Sequence, residues 1–340
     1  MGLFSFLQQD IAMDLGTANT IIMIDGKIVV DEPSIVAIEE KTEKLLAIGR
    51  QAQQMQGKTH EGIKIIRPLK DGVIADFTAA ELMIRNLIKM ANHKRFFSPS
   101  LRMVIGIPAG STNVEIRAVR DSAEHSGGRD VYMLHEPMAA ALGANLPVNE
   151  PQGSMIVDIG GGTTEIAVIS LGGIVYNRSI RTAGDEFTFD IQEHMRITHQ
   201  IKLGDRTSEL IKINVGAAIQ EDLDEAPEDY VIVGPHLVTS LPNKIAIKYS
   251  EIAVCLDKSL AKIENAIMDV LDHTPPELYK DICENGIFLS GGGALLRGLD
   301  KRISTRTNIP VHVVENPLHA VVRGTTEALN NLNSFNFLIR

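Results

Sequence analysis

Apolar and polar positions alternate most cleanly in two stretches of this chain, and each stretch is interrupted by glycine. In Met155–Gly173, MIVDIGGGTTEIAVISLGG, an apolar run ends at Asp158, three glycines and two threonines follow, and alternation resumes. A period of two on either side of a turn without side chains predicts two strands joined as a hairpin with a bare tip. Asp14–Gly26, DLGTANTIIMIDG, has the same form. Both fit Asp-x-Gly-x-x-x-Thr, through Asp14, Gly16 and Thr20 in one and Asp158, Gly160 and Thr164 in the other, 144 positions apart (158 − 14).

The match continues downstream. The first hairpin is followed by a strand at Met103–Ile107, a turn at Pro108–Ser111, a helix, a strand at Val131–Leu134 and Glu136-Pro137-Met138-Ala139-Ala140. The second is followed by a strand at Ile287–Ser290, Gly291-Gly292-Gly293, a helix, a strand at Val311–Val314 and Asn316-Pro317-Leu318-His319-Ala320. Both halves read β-turn-α-β-Pro-α, which predicts a duplicated α/β domain with a ligand between the copies. Pro33–Gly72 and Thr182–Lys248 read as insertions, the second with helical stretches at Phe187–Thr198 and Thr207–Ala218.

Helical periodicity marks the remaining elements. Thr78 with Glu81, and Thr112 with Glu115, have the spacing of capping boxes. They open helices whose inner faces carry Met83, Leu87 and Met90, and Ile116, Val119 and Ala123. Ser250–Asp272 has apolar residues at helical spacing until Thr274-Pro275-Pro276 stops it. Six carboxylates between Glu221 and Asp229 read as a solvated loop.

Composition narrows the class. The 340 residues leave room for two domains, and 44% hydrophobic with 22% charged residues is the balance of a soluble globular protein. A net charge of −10 argues against nucleic acid as a partner. Cys255 and Cys283 lack metal-type spacing and read as buried small hydrophobes in a reducing cytosol. No apolar run reaches the roughly 18 residues of a spanning helix. The start, MGLFSFLQQD, lacks a signal peptide's basic region, and Phe6 breaks the myristoylation pattern. Leu3, Phe4, Phe6 and Leu7 fit either a buried strand extension or a short membrane-surface helix. Phe96 and Phe97, beside Lys94 and Arg95, fit either loop packing or a membrane contact.

The candidate chemistry gathers at the bare turns. Backbone N–H groups of Gly160, Gly161 and Gly162, helped by the hydroxyls of Thr163 and Thr164, suit an anionic group, and Asp158 suits its cation. Glu136, at a strand-to-helix junction, reads either as the group that orients a water for attack on a phosphate or as a helix-dipole partner. Its counterpart is Asn316, so only one half carries the acid. A third glycine turn, Ser290–Leu299, can pack flat against a base or ribose. Gly57-Lys58-Thr59 is no P-loop, because Ala52 stands where its first glycine must be.

These residues resemble the actin, Hsp70 and sugar-kinase ATPase superfamily, and within it the MreB family of bacterial actins. The resemblance rests on DLGTANT (14–20), HEPMAAALGANLPV (135–148), GSMIVDIGGGTTEIAVISLGGIV (153–175), TPPEL (274–278) and SGGGALLRGLD (290–300). It implies an actin-like ATPase fold of two duplicated domains, each a mixed sheet with helices, around a nucleotide cleft. Domain I would be 1–145 plus 315–340, with 33–72 as its small subdomain. Domain II would be 146–314, with 182–248 as its small subdomain.

Carried over residue by residue, Gly16, Thr17, Ala18 and Asn19, with Gly160 to Thr163, would hold the ATP phosphates. Asp14 and Asp158 would hold hydrated Mg²⁺, and Glu136 would position the attacking water. Glu209 and Lys212 match the adenosine helix, and Gly291, Gly292, Gly293, Ala294 and Leu295 would close over the nucleotide. Asn214 replaces a second Glu, and His135 replaces an acidic neighbour of Glu136. The resemblance further implies double protofilaments on the inner membrane face that guide membrane proteins of the wall-elongation machinery, with a peripheral cytoplasmic location and no nucleic-acid partner. A plasmid-segregating actin, a small-molecule kinase and an Hsp70-type chaperone are rival expectations. The last would need a substrate domain beyond Arg340.

Overall fold

Two five-stranded sheets carry the chain, and both follow one plan. The structure, a computed structural model, describes residues 8–92, 100–221, 223–332 and 334–340. Leu3, Phe4, Phe6, Leu7, Phe96 and Phe97 lie outside the described residues.

β1 (Gln8–Leu15), β2 (Asn19–Ile24) and β3 (Lys27–Pro33) form an antiparallel meander. An insertion follows with β4 (Val36–Glu39), β5 (Leu45–Ile48), α1 (Gly49–Met55), β6 (Ile63–Ile66) and the short pair β7 (Leu69–Lys70) and β8 (Val73–Ile74). After α2 (Phe77–Ala91), β9 (Ser100–Ile107) and β10 (Gly128–His135) join the sheet in parallel through α3 (Asn113–His125). α4 (Glu136–Gly143) leads across to the second meander, β11 (Ser154–Ile159), β12 (Thr164–Ser170) and β13 (Gly173–Ile180).

The second insertion holds α5 (Gly184–Thr198), α6 (Asp205–Val215) and a hairpin of β14 (Tyr230–Pro235) and β15 (Pro242–Ile247). α7 (Tyr249–Asp272) and α8 (Pro276–Asn285) then lead to β16 (Ile287–Ser290), α9 (Leu299–Thr307), β17 (Val311–Val313) and α10 (Ala320–Asn330). The orders β10-β9-β1-β2-β3 and β17-β16-β11-β12-β13 correspond strand for strand. The internal repeat is therefore one of topology as well as sequence.

Alternation along the strands sets the layers. Ile11 and Met13 of β1 face one core with Met83 and Leu87 of α2, whereas Ala12 faces the other, against α4 and α10. In β11, Met155 and Val157 face the core that includes α7, and Ile156 faces the shared layer. α4 and α10 thus lie between the sheets and cross on backbone. A Cβ on Gly143 would overlap the Ala320 carbonyl, and one on Gly324 would overlap that of Ala139.

Several local expectations change. Asp76, not Thr78, caps α2, because its extended backbone lets the carboxylate accept from Ala79 N–H at 3.0 Å. Glu81 instead binds Arg85 and His125. The Thr112–Glu115 capping box is present. Met90 is exposed, one turn beyond the helix's buried face. Cys283 is exposed, and Cys255 is half-buried with its thiol pushed up to about 12, by burial first.

Candidate active site

The two hairpin tips meet. An ideal Cβ on Gly161 would lie 2.6 Å from the Ala18 Cβ, and one on Gly162 would lie 2.8 Å from Thr17 Oγ1. None of Gly160, Gly161 and Gly162 has a positive φ, so these positions need glycine for close approach and not for an unusual backbone. Gly291 needs both, with φ 77° and no room for a Cβ, which would lie 2.4 Å from Ile159 O.

Hydrogen bonds tie back the carbonyl side of each tip. Ser34 Oγ donates to Gly16 O at 2.6 Å and Ser34 N to Ala18 O at 2.9 Å. At the second tip, the amides of Gly184 and Asp185, opening α5, donate to Gly160 O at 3.1 Å and Gly161 O at 2.7 Å. Among the described residues, no acceptor satisfies the amides of Thr17, Ala18, Gly161 and Gly162. Peptide planes fixed this way form a concave set of N–H donors, the geometry that binds phosphate. Thr20 and Thr164, the paired threonines of the repeat, are fully buried structural pins. Thr20 Oγ1 shares a 2.9 Å hydrogen bond with Ser34 Oγ, and Thr164 Oγ1 donates to Thr182 O at 2.7 Å. The ligand role expected of the Thr164 hydroxyl is therefore taken.

The tips border a cavity of about 680 Å³, the size of a small-molecule site. It is lined by Asp14, Gly16, Thr17, Ala18, Asn19, Glu136, Asp158, Gly160, Gly161, Gly162 and Thr163. Glu209, Lys212, Gly291, Gly292, Gly293 and Leu295 line it as well. Ala294 does not: it turns into the core beneath β16. Asn214 points outward and donates to Leu210 O, away from the cavity.

Asp14, Glu136 and Asp158 converge in the cavity floor, Glu136 and Asp158 buried and Asp14 partly so. Burial and then the Asp158 charge push Asp14 up to about 8. Burial pushes Asp158 up to about 6, against a 2.6 Å hydrogen bond from Ser290 Oγ. Glu136 is raised well above the usual range by burial, then by Asp14, Glu165 and Asp158. Among the described residues no basic side chain pairs with these three carboxyls, and a divalent ion relieves such a cluster. His135 lies off the cavity, and burial lowers its pKa despite the Pro108 carbonyl.

Other participants had no sequence signal. Glu165, behind the tip, accepts from Ser179 Oγ at 2.7 Å and Ala109 N at 3.3 Å, and burial raises it to about 7. Ser290 and Glu165 act through partners far along the chain, which no local pattern reveals. Lys212 is fixed by Gly184 O at 2.8 Å, Thr188 Oγ1 at 3.0 Å and Glu209 at 2.7 Å. The i, i+3 spacing of Glu209 and Lys212 signals that last pair. Across the cavity mouth Arg67 meets Asp185 at 3.3 Å, and elsewhere between the two insertions Gln56 meets Asp205 at 3.2 Å.

This geometry agrees with the comparisons to known proteins. The chain is 44% identical over 337 residues to the cell shape-determining protein MreB of Escherichia coli (strain K12), covering 98% of this chain and 95% of that one. It is 44% identical over 326 residues to the cell shape-determining protein Mbl of Bacillus subtilis (strain 168), covering 96% and 97%. MreB5 of Spiroplasma citri, crystallised with AMPPNP, superposes with a TM-score of 0.88 at 36% identity over 96% of this chain and 97% of that one. The family model for MreB/Mbl protein matches residues 8–336, and with two actin-type hairpins facing across one acidic cavity, the chain belongs to the MreB/Mbl family.

Proposed function

We propose that this chain is a slow Mg²⁺-dependent ATPase whose ATP-bound form assembles into double protofilaments on the inner membrane face. There it would guide membrane proteins of the wall-elongation machinery and so maintain cell shape. The observation that carries this reading is the pair of touching tips, with four amides that no acceptor satisfies among the described residues, beside Asp14 and the buried Asp158 and Glu136. The names of the E. coli and B. subtilis relatives, and the AMPPNP held by the Spiroplasma protein, support it.

In this reading the amides of Thr17, Ala18, Gly161 and Gly162 hold the β- and γ-phosphates. Asp14 and Asp158 fit a Mg²⁺ ion, which would supply charge neutralisation for both phosphate and carboxylates. Glu136 orients the attacking water, and the charge of a bound Mg²⁺ would oppose the burial that raises its pKa and so favour the ionised form that accepts a proton. Glu209 and Lys212 sit on the adenosine side, and Gly291, Gly292, Gly293 and Leu295 flank the base.

Lipid contact is assigned to Leu3, Phe4, Phe6 and Leu7, with Phe96 and Phe97. One short segment binds weakly, and a filament presenting many copies gains about 10²–10⁴ in avidity. The test is electron microscopy and co-sedimentation of purified protein with Mg-ATP and anionic vesicles. Wild type is compared with a deletion of residues 2–8, Phe96→Ser/Phe97→Ser, and the two combined. Filaments that coat vesicles only with ATP, and only with the apolar segments intact, are expected. A combined variant that assembles and sediments with vesicles like wild type overturns the membrane assignment.

A further inference from the structure

Outside the cleft, one group of side chains among the described residues has the donor set of a transition-metal site: His194, His199 and Glu251. His194 lies near the end of α5, His199 ends that helix, and Glu251 lies in the first turn of α7. Five residues apart (199 − 194), the two imidazoles would point about 140° from each other on a continuing helix. Here α5 stops, and Gln200 turns the chain with φ 51°. As a result His194 Nε2 lies 2.7 Å and His199 Nε2 2.5 Å from the same carboxylate oxygen, Oε1 of Glu251. All three potential ligand atoms lie within 4.8 Å of one another, and the rings stand at 76°.

We propose that His194, His199 and Glu251 bind a divalent transition-metal ion, preferentially zinc, with a fourth position open to solvent. Two imidazole nitrogens and one carboxylate oxygen are a zinc-type set, whereas magnesium takes oxygen ligands in octahedral geometry. With zinc–ligand bonds of about 2.0–2.2 Å, neighbouring donors in a tetrahedron sit about 3.3 Å apart. The ion therefore enters if the Glu251 oxygen withdraws by less than about 1 Å, a side-chain adjustment. The three side chains are 22%, 24% and 26% exposed, which holds them in place and leaves one face open. Thr198 Oγ1, 3.4 Å from His194 Nδ1, stands at the far nitrogen and leaves Nε2 to the metal. Bound metal would fasten the end of α5 to the start of α7, bracing the second insertion on the long helix.

The test uses the full chain carrying Cys283→Ser, which removes the exposed thiol, stripped with a chelator and titrated with zinc by calorimetry. One equivalent should bind, with a rise in melting temperature and no competition from excess Mg²⁺. Cobalt in place of zinc should give the visible absorption of a four-coordinate ion. His194→Ala, His199→Ala and Glu251→Gln should each weaken zinc binding by at least about tenfold. Absence of saturable uptake, or equal affinity in a folded His194→Ala/His199→Ala variant, reduces the group to a hydrogen-bonded bridge and overturns the proposal. X-ray absorption of the zinc-loaded parent decides without any variant: two imidazole shells support the site, and none refutes it.

Discussion

Gly161→Ala tests the meeting of the two tips most directly. The new Cβ would sit 2.6 Å from the Ala18 Cβ and 3.1 Å from its nitrogen, against about 3.5–4.0 Å for carbon atoms in normal contact. The tips must therefore part by about 1 Å, and overpacking of this kind costs about 1–3 kcal/mol. If that cost falls on the state that grips the ligand, ATP affinity drops by about 5- to 150-fold. Gly160→Ala is the control, because its Cβ would meet only Thr163 O at 3.3 Å. Calorimetric ATP titration with Mg²⁺ should rank wild type and Gly160→Ala well above Gly161→Ala. Adding Ala18→Gly to Gly161→Ala removes the closest clash and should restore part of the affinity. Equal binding by wild type and Gly161→Ala, or no recovery in the double variant, would refute the steric reasoning.

Glu136→Ala should lower turnover by at least about 10²-fold while leaving ATP affinity nearly unchanged; parallel loss of both would make Glu136 a structural group. Asp158→Ala should remove the Mg²⁺-dependent part of ATP affinity, and an equal loss in chelator would sink the metal assignment. The acidic floor also sets a pH dependence in the nucleotide-free, metal-free protein. Asp158, Glu165 and Asp14 titrate near 6, 7 and 8 when folded, above their unfolded values, so they bind protons more tightly in the folded state. The stability this contributes is full below about pH 4 and is lost as pH rises through 6 to 8, about 3 kcal/mol from Asp158 alone. Melting temperature should fall from pH 5 to pH 8, and Glu136→Gln should flatten the slope; a flat or rising wild-type curve contradicts the assignment.

The hairpins and their downstream repeat were legible because alternation and glycine are local signals. What escaped depends on partners distant in sequence. The sequence shows a glycine triplet but not that Gly161 rests on Ala18, a contact made only when the two halves come together. Thr163 and Thr164 are chemically alike, yet one lines the cavity and the other is committed to Thr182 O. Asp76 outcompetes Thr78 as a cap through its backbone angles. The β14–β15 hairpin follows a run of carboxylates and leaves Val231 and Val233 exposed, so it carries no clean amphipathic pattern.

The crossing of α4 and α10 governs how the halves can move. The chain passes between the sheets twice, after α4 and again before α10, and returns to the first sheet where Ile339 pairs with Met133. At the crossing, Gly143 and Gly324 bring backbone directly onto backbone, so no side chain can rearrange to let the helices slide. A swing between the halves would therefore pivot at this crossing and not slide along it. The mouth is the opposite kind of joint: the Arg67–Asp185 pair is solvent-exposed and contributes about 0–1 kcal/mol. Such a joint is a nutcracker, stiff at its axle and loose at its jaws, in which a few degrees of swing at the glycines would be magnified at the cavity mouth.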